Sequence, residues 1–257
     1  LEASSAELLI TEDTKAIIPV SLYGQTPQMK PFKALAEKYG ISIIEDGAQS
    51  LGAKYQNLNS GNLSLIGCTS FFPAKPLGCY GDGGMLFTSD DKIAAKLKSL
   101  RSHGQGKRYE HLRIGTNSRL DTLQAAILLA KLPFYGEEII TRQKIAKTYT
   151  DGLKNIENIG LPVVLENHQS VWAQYTIKTD QRNELQEYLK DAGIPTAIHY
   201  PRPIHKQTAY AKNHATTICL NADKLSSKVL SLPMSAFLRN DHQEYIIDKV
   251  KEFFKIG

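Results

Sequence analysis

An α/β fold with parallel strand pairing is what the order of apolar runs in the first part of this chain predicts. Residues 17–20 (Ile-Ile-Pro-Val) read as a short buried-type strand, and residues 31–39 set Phe32, Leu35, Ala36 and Tyr39 at helical spacing. Gly40 stops that helix, and a second apolar run over residues 41–45 follows at once. Strand, helix, strand in this order implies a right-handed crossover, which brings residues 21–25 and 46–49 to the same edge of the sheet.

The remaining elements follow from the same patterns. Residues 68–73 and 85–88 read as strands flanking a loop, and Gly81, Gly83 and Gly84 in that loop can take backbone angles closed to other residues. Residues 90–100 are amphipathic, with Ile93, Leu97 and Leu100 on one face. A helix is expected from Ser118 with Leu120, Leu123, Ala126, Ile127 and Leu129 as its buried face; Pro133 ends it, and Asn117 lies at or beside its cap. Residues 137–153 form a long helix that bridges two domains, because Gly160 and Pro162 then break the chain. A strand (173–178), a helix (183–192), a strand (196–199) and a closing helix (243–254) complete a smaller α+β part. The expected division is therefore 1–133 and 134–257, with no repeats or low-complexity linkers.

Two of these places carry chemistry. The run Ser70-Phe71-Phe72-Pro73-Ala74-Lys75-Pro76-Leu77-Gly78 sets one lysine between an apolar strand and a glycine-rich turn, and the strand over 41–45 ends in Asp46-Gly47-Ala48-Gln49. Carboxyl ends of strands are where α/β folds build their sites. A lysine and an acid facing one ligand suit pyridoxal phosphate, which stores carbanion charge in its ring while a lysine holds it as an imine. An acid near the pyridine nitrogen favours the protonated ring, which makes Asp46 the candidate partner. Lys75 is the candidate for attachment and for proton transfer.

The segments Ile17-Ile18-Pro19-Val20-Ser21-Leu22-Tyr23-Gly24-Gln25, Asp46 to Gln49, the Lys75 segment and Gly115-Thr116-Asn117-Ser118-Arg119-Leu120-Asp121 occur in one order, followed by Trp172-Ala173-Gln174-Tyr175, Gly193-Ile194-Pro195-Thr196 and His199-Tyr200-Pro201. In this the chain resembles the DegT/DnrJ/EryC1/StrS nucleotide-sugar aminotransferases over nearly all its length, and within them the branch that aminates UDP-2-acetamido-2-deoxy-3-oxo-glucuronate. The resemblance implies a fold-type-I pyridoxal 5'-phosphate transferase with a mixed, mostly parallel sheet, a smaller C-terminal α+β domain, and an active site shared across a homodimer. It implies Lys75 as the Schiff-base lysine, Asp46 as the pyridine-nitrogen partner, Ala48 as an apolar floor under the ring, Gln49 near the ring hydroxyl, and Ser70 as a phosphate ligand. Asn117 would be a phosphate ligand given by the opposite subunit.

The same resemblance implies L-glutamate as amino donor and a UDP-linked keto sugar as acceptor, with Arg119 and His199 near the sugar carboxylate. Charge complementarity favours that pair. Read without the family, Arg119 fits an ordinary surface cation, and His199, after a β-type run, fits a structural histidine. A 4-keto-sugar aminotransferase and a non-catalytic regulatory paralogue of the same fold are the alternatives. The family carries an N-terminal stretch that this chain, opening at Leu1-Glu2-Ala3 without an initiator Met, lacks, so a fragment or remainder of a longer protein is expected.

Composition excludes other classes. With 42% hydrophobic, 22% charged and 8% aromatic residues the chain is ordinary for a globular enzyme. No run approaches membrane-spanning length and no export signal is visible, so a cytoplasmic location is expected. Cys68, Cys79 and Cys219 are too few and too scattered for a disulfide framework, and Cys79 reads as packing because no histidine partner is evident. The net charge of +5 is spread through helical segments, which argues against nucleic acid. Its densest group, residues 101–108, reads as a solvated loop or as one near an anionic sugar nucleotide. The seven histidines show no metal-ligand spacing.

Overall fold

The computed structural model describes residues 1–214 and 217–255. The chain falls into two compact units, Leu1–Ile139 with Val164–Ala173, and Ile140–Val163 with Gln174–Gly257.

In the first unit a short helix α1 (Ala3–Glu7) leads to strand β1 (Ala16–Ile17), helix α2 (Met29–Tyr39) and strand β2 (Ser42–Asp46). A small hairpin, β3 (Lys54–Tyr55) and β4 (Leu58–Asn59), precedes β5 (Ile66–Ser70), β6 (Gly84–Phe87) and α3 (Asp91–Arg101). A second hairpin, β7 (Gln105–Lys107) and β8 (Glu110–His111), leads to α4 (Thr122–Lys131). Helix α5 (Tyr135–Leu153) begins in this unit and ends in the other.

The central sheet runs β1-β2-β5-β6; β1 and β5 pair parallel to β2, and β6 pairs antiparallel to β5. This is the α/β order expected. It is mixed because the loop over residues 71–83, with no helix in it, joins β5 to β6. Helix α2 packs Met29, Phe32 and Leu35 into a core with Ile17, Ile43, Tyr55 and Leu63. Each such side chain contributes roughly 1.5–3 kcal/mol by leaving water. Asp90 caps α3 by accepting from the Ile93 N–H at 2.9 Å.

Strand β9 (His168–Gln169) returns from later in the chain to pair antiparallel with β3. What holds it is a close approach at Gly24. This residue has φ +102°, and a Cβ there would lie 2.7 Å from the Ala173 nitrogen and 2.8 Å from that of Trp172. The Val171 N–H and Ser170 hydroxyl both donate to the Gly24 carbonyl, at 2.9 and 3.1 Å. Division near residue 133 did not anticipate this return of 164–173 to the first unit.

The second unit is built on the antiparallel pair β10 (Tyr175–Lys178) and β11 (Val229–Leu232), with helices α6 (Arg182–Asp191), α7 (Thr208–His214), α8 (Leu220–Ser226) and α9 (Asn240–Phe253). Tyr149, Leu153, Tyr175, Ile177, Leu185, Leu189, Leu230 and Val250 are among its fully buried side chains. The strand expected over 196–199 is reduced to one bridge, Ala197 with Ser231, because only Ala197 exchanges backbone hydrogen bonds with β11.

Two further expectations are corrected. Helix α4 starts at Thr122 with Asp121 as its cap, not at Ser118, because the chain before it pairs as a bridge with the end of α3: Asn117 opposes Ser102, and the Thr116 and Ser118 N–H groups donate to Leu100 O and Arg101 O. Its buried residue is Leu128, whereas Leu123 and Leu129 are about 70% exposed. The helix is apolar on nearly every side, so periodicity could not select the inner face. Among the described residues no helix is long and apolar enough to cross a membrane.

Candidate active site

Strand alternation sets the two carboxyl groups of β2 on opposite faces. Ile43 and Glu45 are buried together, while Ser42, Ile44 and Asp46 share the partly open face. Asp46 ends the strand. Its backbone is fixed on one side by Pro19 and Ser21, whose carbonyl and N–H pair with it at 3.0 and 2.8 Å, and on the other by its register with Cys68. The Asp46 carboxyl is held in turn, since Oδ1 accepts from the Ala48 N–H at 3.0 Å. Buried Gln49 accepts from the Tyr23 N–H through Oε1 at 2.6 Å, which ties the turn after β1 to the turn after β2.

Ser70 is the last residue of β5 and its hydroxyl oxygen accepts from the Phe72 N–H at 3.2 Å. The chain then makes a loop that is pinned at its base. The Phe71 N–H donates to Gly83 O and the Cys79 N–H to Phe71 O, both at 2.8 Å, and Phe71, Leu77 and Cys79 enter a core with Leu128 and Tyr135. Lys75, half-buried, sits in this loop with its N–H on Phe72 O. Because β2 and β5 are neighbouring parallel strands, Asp46, Ala48, Gln49, Ser70 and the Lys75 loop all lie at one carboxyl edge. Cys79 is packing: it is buried and its thiol donates to Phe71 O.

The glycines of the loop serve a different purpose from the one expected. None of Gly81, Gly83 and Gly84 has positive φ. Space is what they supply: a Cβ on Gly84 would meet Thr69 O at 2.9 Å, and one on Gly83 would meet Cys79 Sγ and Leu120 Cδ1 at 3.0 Å.

Asn117 is not a helix cap. It forms an isolated bridge with Ser102, and its Oδ1 accepts from Arg119 Nε at 2.8 Å, both residues being exposed. The side-chain bond of that pair is internal to it, apart from the bonds that fix the Asp46 edge. His199 belongs to the second unit, where its Nδ1 lies 2.9 Å from Ser231 Oγ and its ring meets Tyr200 edge-on. Residues 101–108 run from the last residue of α3 into the β7–β8 hairpin, in which Arg108 stacks on Tyr109 at 5.0 Å.

Residues 1–251 match the sequence profile of the DegT/DnrJ/EryC1/StrS aminotransferase family. The chain belongs to that family. It is 53% identical over 238 residues to a Pseudomonas aeruginosa protein named UDP-2-acetamido-2-deoxy-3-oxo-D-glucuronate aminotransferase, covering 93% of this chain and 66% of that one. A Geobacillus stearothermophilus relative named as a pleiotropic regulatory protein is 41% identical, covering 99% and 69%. Among solved structures, that of S. venezuelae DesV in complex with a ketimine intermediate superposes with a TM-score of 0.96 at 38% identity, over 99% of this chain and 69% of that one. The chain thus spans about two thirds of the length of the relatives it matches. The fold-type-I α/β architecture expected from the DegT/DnrJ/EryC1/StrS resemblance is the one observed.

The cofactor of this family can be tested against the donors present. Among the described residues Lys75 Nζ has no hydrogen-bond or ion-pair partner, and Asp46 Oδ2 is not engaged while Oδ1 is. Ser70 Oγ accepts one bond and keeps its proton to donate to a phosphate oxygen. An amine, a carboxyl oxygen, a methyl from Ala48 and a hydroxyl at one edge fit pyridoxal phosphate. Among the described residues no group of three His, Cys, Asp or Glu side chains could hold a metal ion.

Glu45 and the Tyr23 N–H also belong to this edge, beyond the residues the motifs single out. The signal for Glu45 was present: in a strand of period 2 it shares the face of Ile43, so it points inward where Asp46 cannot.

Proposed function

We propose that this chain carries the cofactor-holding part of a nucleotide-sugar aminotransferase that uses pyridoxal 5'-phosphate and L-glutamate. The observation that supports it most is the convergence of Asp46, Ser70 and the Lys75 loop at one edge of one sheet. The substrate we assign is UDP-2-acetamido-2-deoxy-3-oxo-glucuronate, after the name of the P. aeruginosa relative. Its product would be a 3-amino sugar for surface polysaccharide such as O-antigen, made in the cytoplasm. In this reading residues 1–133 belong to the large cofactor-binding domain, and residues 134–257 are the interdomain helix and the small domain.

When bound, pyridoxal phosphate supplies an electron sink for the charge left at the amino-acid α-carbon. Lys75 would hold it and, once free, its Nζ would take the proton from the α-carbon of glutamate and give one to C3 of the keto sugar. Asp46 would face the pyridine nitrogen and favour its protonated form. Ala48 would supply an apolar floor, and Gln49, whose oxygen accepts from the Tyr23 N–H, would lie near the ring hydroxyl. Ser70 would bind the phosphate, joined by the partner subunit's Asn117. Arg119 and His199 bind the sugar carboxylate.

A homodimer is favoured by α4, whose Leu123 and Leu129, with Leu132 and Phe134 beyond, are more than half exposed. The Geobacillus relative's name favours a second reading, a regulatory paralogue of the same fold. One experiment separates them. Addition of pyridoxal phosphate should give a visible band that Lys75→Ala abolishes, and glutamate with the 3-keto uronic acid should then yield the amino sugar. A bound cofactor with no turnover of any keto sugar supports the regulatory paralogue; turnover of a 4-keto sugar alone moves the substrate assignment.

A further inference from the structure

Glu45 is fully buried, one residue before Asp46. A carboxyl group in the core costs several kcal/mol unless its oxygens are hydrogen-bonded. Here the Ser60 hydroxyl donates to Oε1 at 2.6 Å, and the N–H groups of Gly61 and Leu63 donate to Oε2 at 2.9 and 3.3 Å. The Glu45 N–H donates to Ser64 Oγ at 3.1 Å, so main chain and side chain both grip residues 60–64. An aliphatic residue such as its face-mate Ile43 would fill the core without any of these bonds.

The grip reaches the cofactor edge through two hydroxyls. Ser60 Oγ lies 2.6 Å from Ser50 Oγ, and the Ser50 N–H closes the turn over residues 47–50 on Gly47 O at 3.0 Å. A Cβ on Gly47 would lie 3.0 Å from Ser60 Oγ and 3.3 Å from Ser50 Oγ, so the hydroxyl pair rests directly under the turn that carries Ala48 and Gln49. The Gly47 N–H donates to Cys68 O at 2.8 Å, which anchors the other side of the turn to β5. Of the bonds to the buried carboxyl, the one from Ser60 thus continues through Ser50 to the turn that carries Ala48 and Gln49.

We propose that Glu45 is a positioning residue: with Ser60 and Ser50 it clamps the turn over residues 46–50 and so sets the Asp46 carboxyl and the Gln49 carboxamide against the cofactor ring. The assignment rests on the aminotransferase reading for its ligand, but the clamp is a property of the polypeptide. It separates two substitutions that a packing role would treat alike. Glu45→Gln keeps the volume, its oxygen can still accept from Gly61 and Leu63, and its amide can donate to Ser60 Oγ if that proton turns to Ser50. Ser60→Ala severs the chain of bonds with the loss of one oxygen.

The test is a titration of the full chain with pyridoxal 5'-phosphate followed by its visible absorbance, together with amide hydrogen exchange of residues 47–50 in the cofactor-free protein. Ser60→Ala should weaken cofactor affinity about tenfold, the equivalent of one buried hydrogen bond, and speed exchange in the turn, while Glu45→Gln stays within about threefold. In an Asp46→Asn background the effect of Ser60→Ala should shrink, because it acts through that side chain. Unchanged exchange in Ser60→Ala overturns the clamp whatever the cofactor does. So does a Ser60→Ala loss that multiplies in full with that of Asp46→Asn. If exchange speeds up but the unsubstituted chain shows no visible band, the clamp stands and the aminotransferase reading fails.

Discussion

Asp46 and Cys68 are register partners across the parallel pair β2–β5, and the Cys68 thiol reports the acid's charge. Burial pushes that thiol up first, and the Asp46 and Glu45 carboxylates push it further. Asp46→Asn therefore shifts the titration of Cys68 downward and raises its thiolate fraction at mildly alkaline pH. Alkylation of Cys68 followed by mass spectrometry, with exposed Cys219 replaced by serine, should run faster in Asp46→Asn. An equal or slower rate would remove Asp46 from the neighbourhood of the thiol.

Alkali should weaken the second unit through two stacked tyrosines. Tyr149 and Tyr175 lie 4.9 Å apart; the Tyr149 hydroxyl donates to Pro233 O, and that of Tyr175 pairs with Thr150. Burial pushes the Tyr175 hydroxyl up to about 12 from its ordinary 10.0, against the pull of Thr150, and Tyr149 higher still. Both are protonated in either state below pH 10, so the stability they give is complete there. As pH climbs from 10 towards 12 the unfolded chain ionises first, and that stability is lost. Tyr175→Phe should make the fall of the urea midpoint between pH 9 and pH 11.5 shallower than in the unsubstituted chain.

Gly67, the second residue of β5, has no room for a methyl group: a Cβ would come 2.2 Å from the Gly61 carbonyl oxygen, which is main chain and cannot swing aside. Gly67→Ala should cost about 1–3 kcal/mol, seen as a lower melting temperature, through overpacking. Gly136, in the first turn of α5, has nothing within 4 Å of its Cβ position. Gly136→Ala should raise the melting temperature, by up to about 1 kcal/mol of stability. Equal effects at the two sites would contradict the packing described for β5.

Leu129 lies in α4 with 69% of its surface exposed, close in sequence to exposed Leu132 and Phe134. A paired Leu129→Glu and Leu132→Glu substitution should convert a dimer to a monomer in sedimentation analysis while leaving the far-ultraviolet spectrum unchanged. A dimer that survives both charges does not use α4.

The strand-helix-strand start of the chain was legible because helix α2 and strand β2 each obey a single period, and Gly40 marks the joint between them. The placement of Asp46 at the end of β2 was legible for the same reason, and that of Lys75 in the loop after β5 from the glycines and prolines around it. Helix α4 was misplaced at both its start and its inner face, since a run such as Thr-Leu-Gln-Ala-Ala-Ile-Leu-Leu-Ala-Lys is apolar in every direction and the bonds that delay it come from Leu100 and Arg101. Nor does local pattern contain the partners of Glu45, which sit in the loop beyond β4, 15 and 16 residues further along the chain. The loop glycines misled for a related reason. Positive φ is a property of one residue, whereas the crowding at Gly83 and Gly84 comes from Cys79, Leu120 and Thr69.

The return of residues 164–173 has a practical outcome for anyone dissecting the molecule. The polypeptide leaves the first unit after Ile139, re-enters at Val164 and leaves again after Ala173, so neither unit corresponds to one uninterrupted stretch of gene. A truncated clone ending at 139 would strip β3 of its β9 neighbour and expose the Gly24 turn, yielding a frayed product. A faithful excision would need a short artificial linker in place of residues 140–163, rejoining the two pieces of the first unit in a single reading frame.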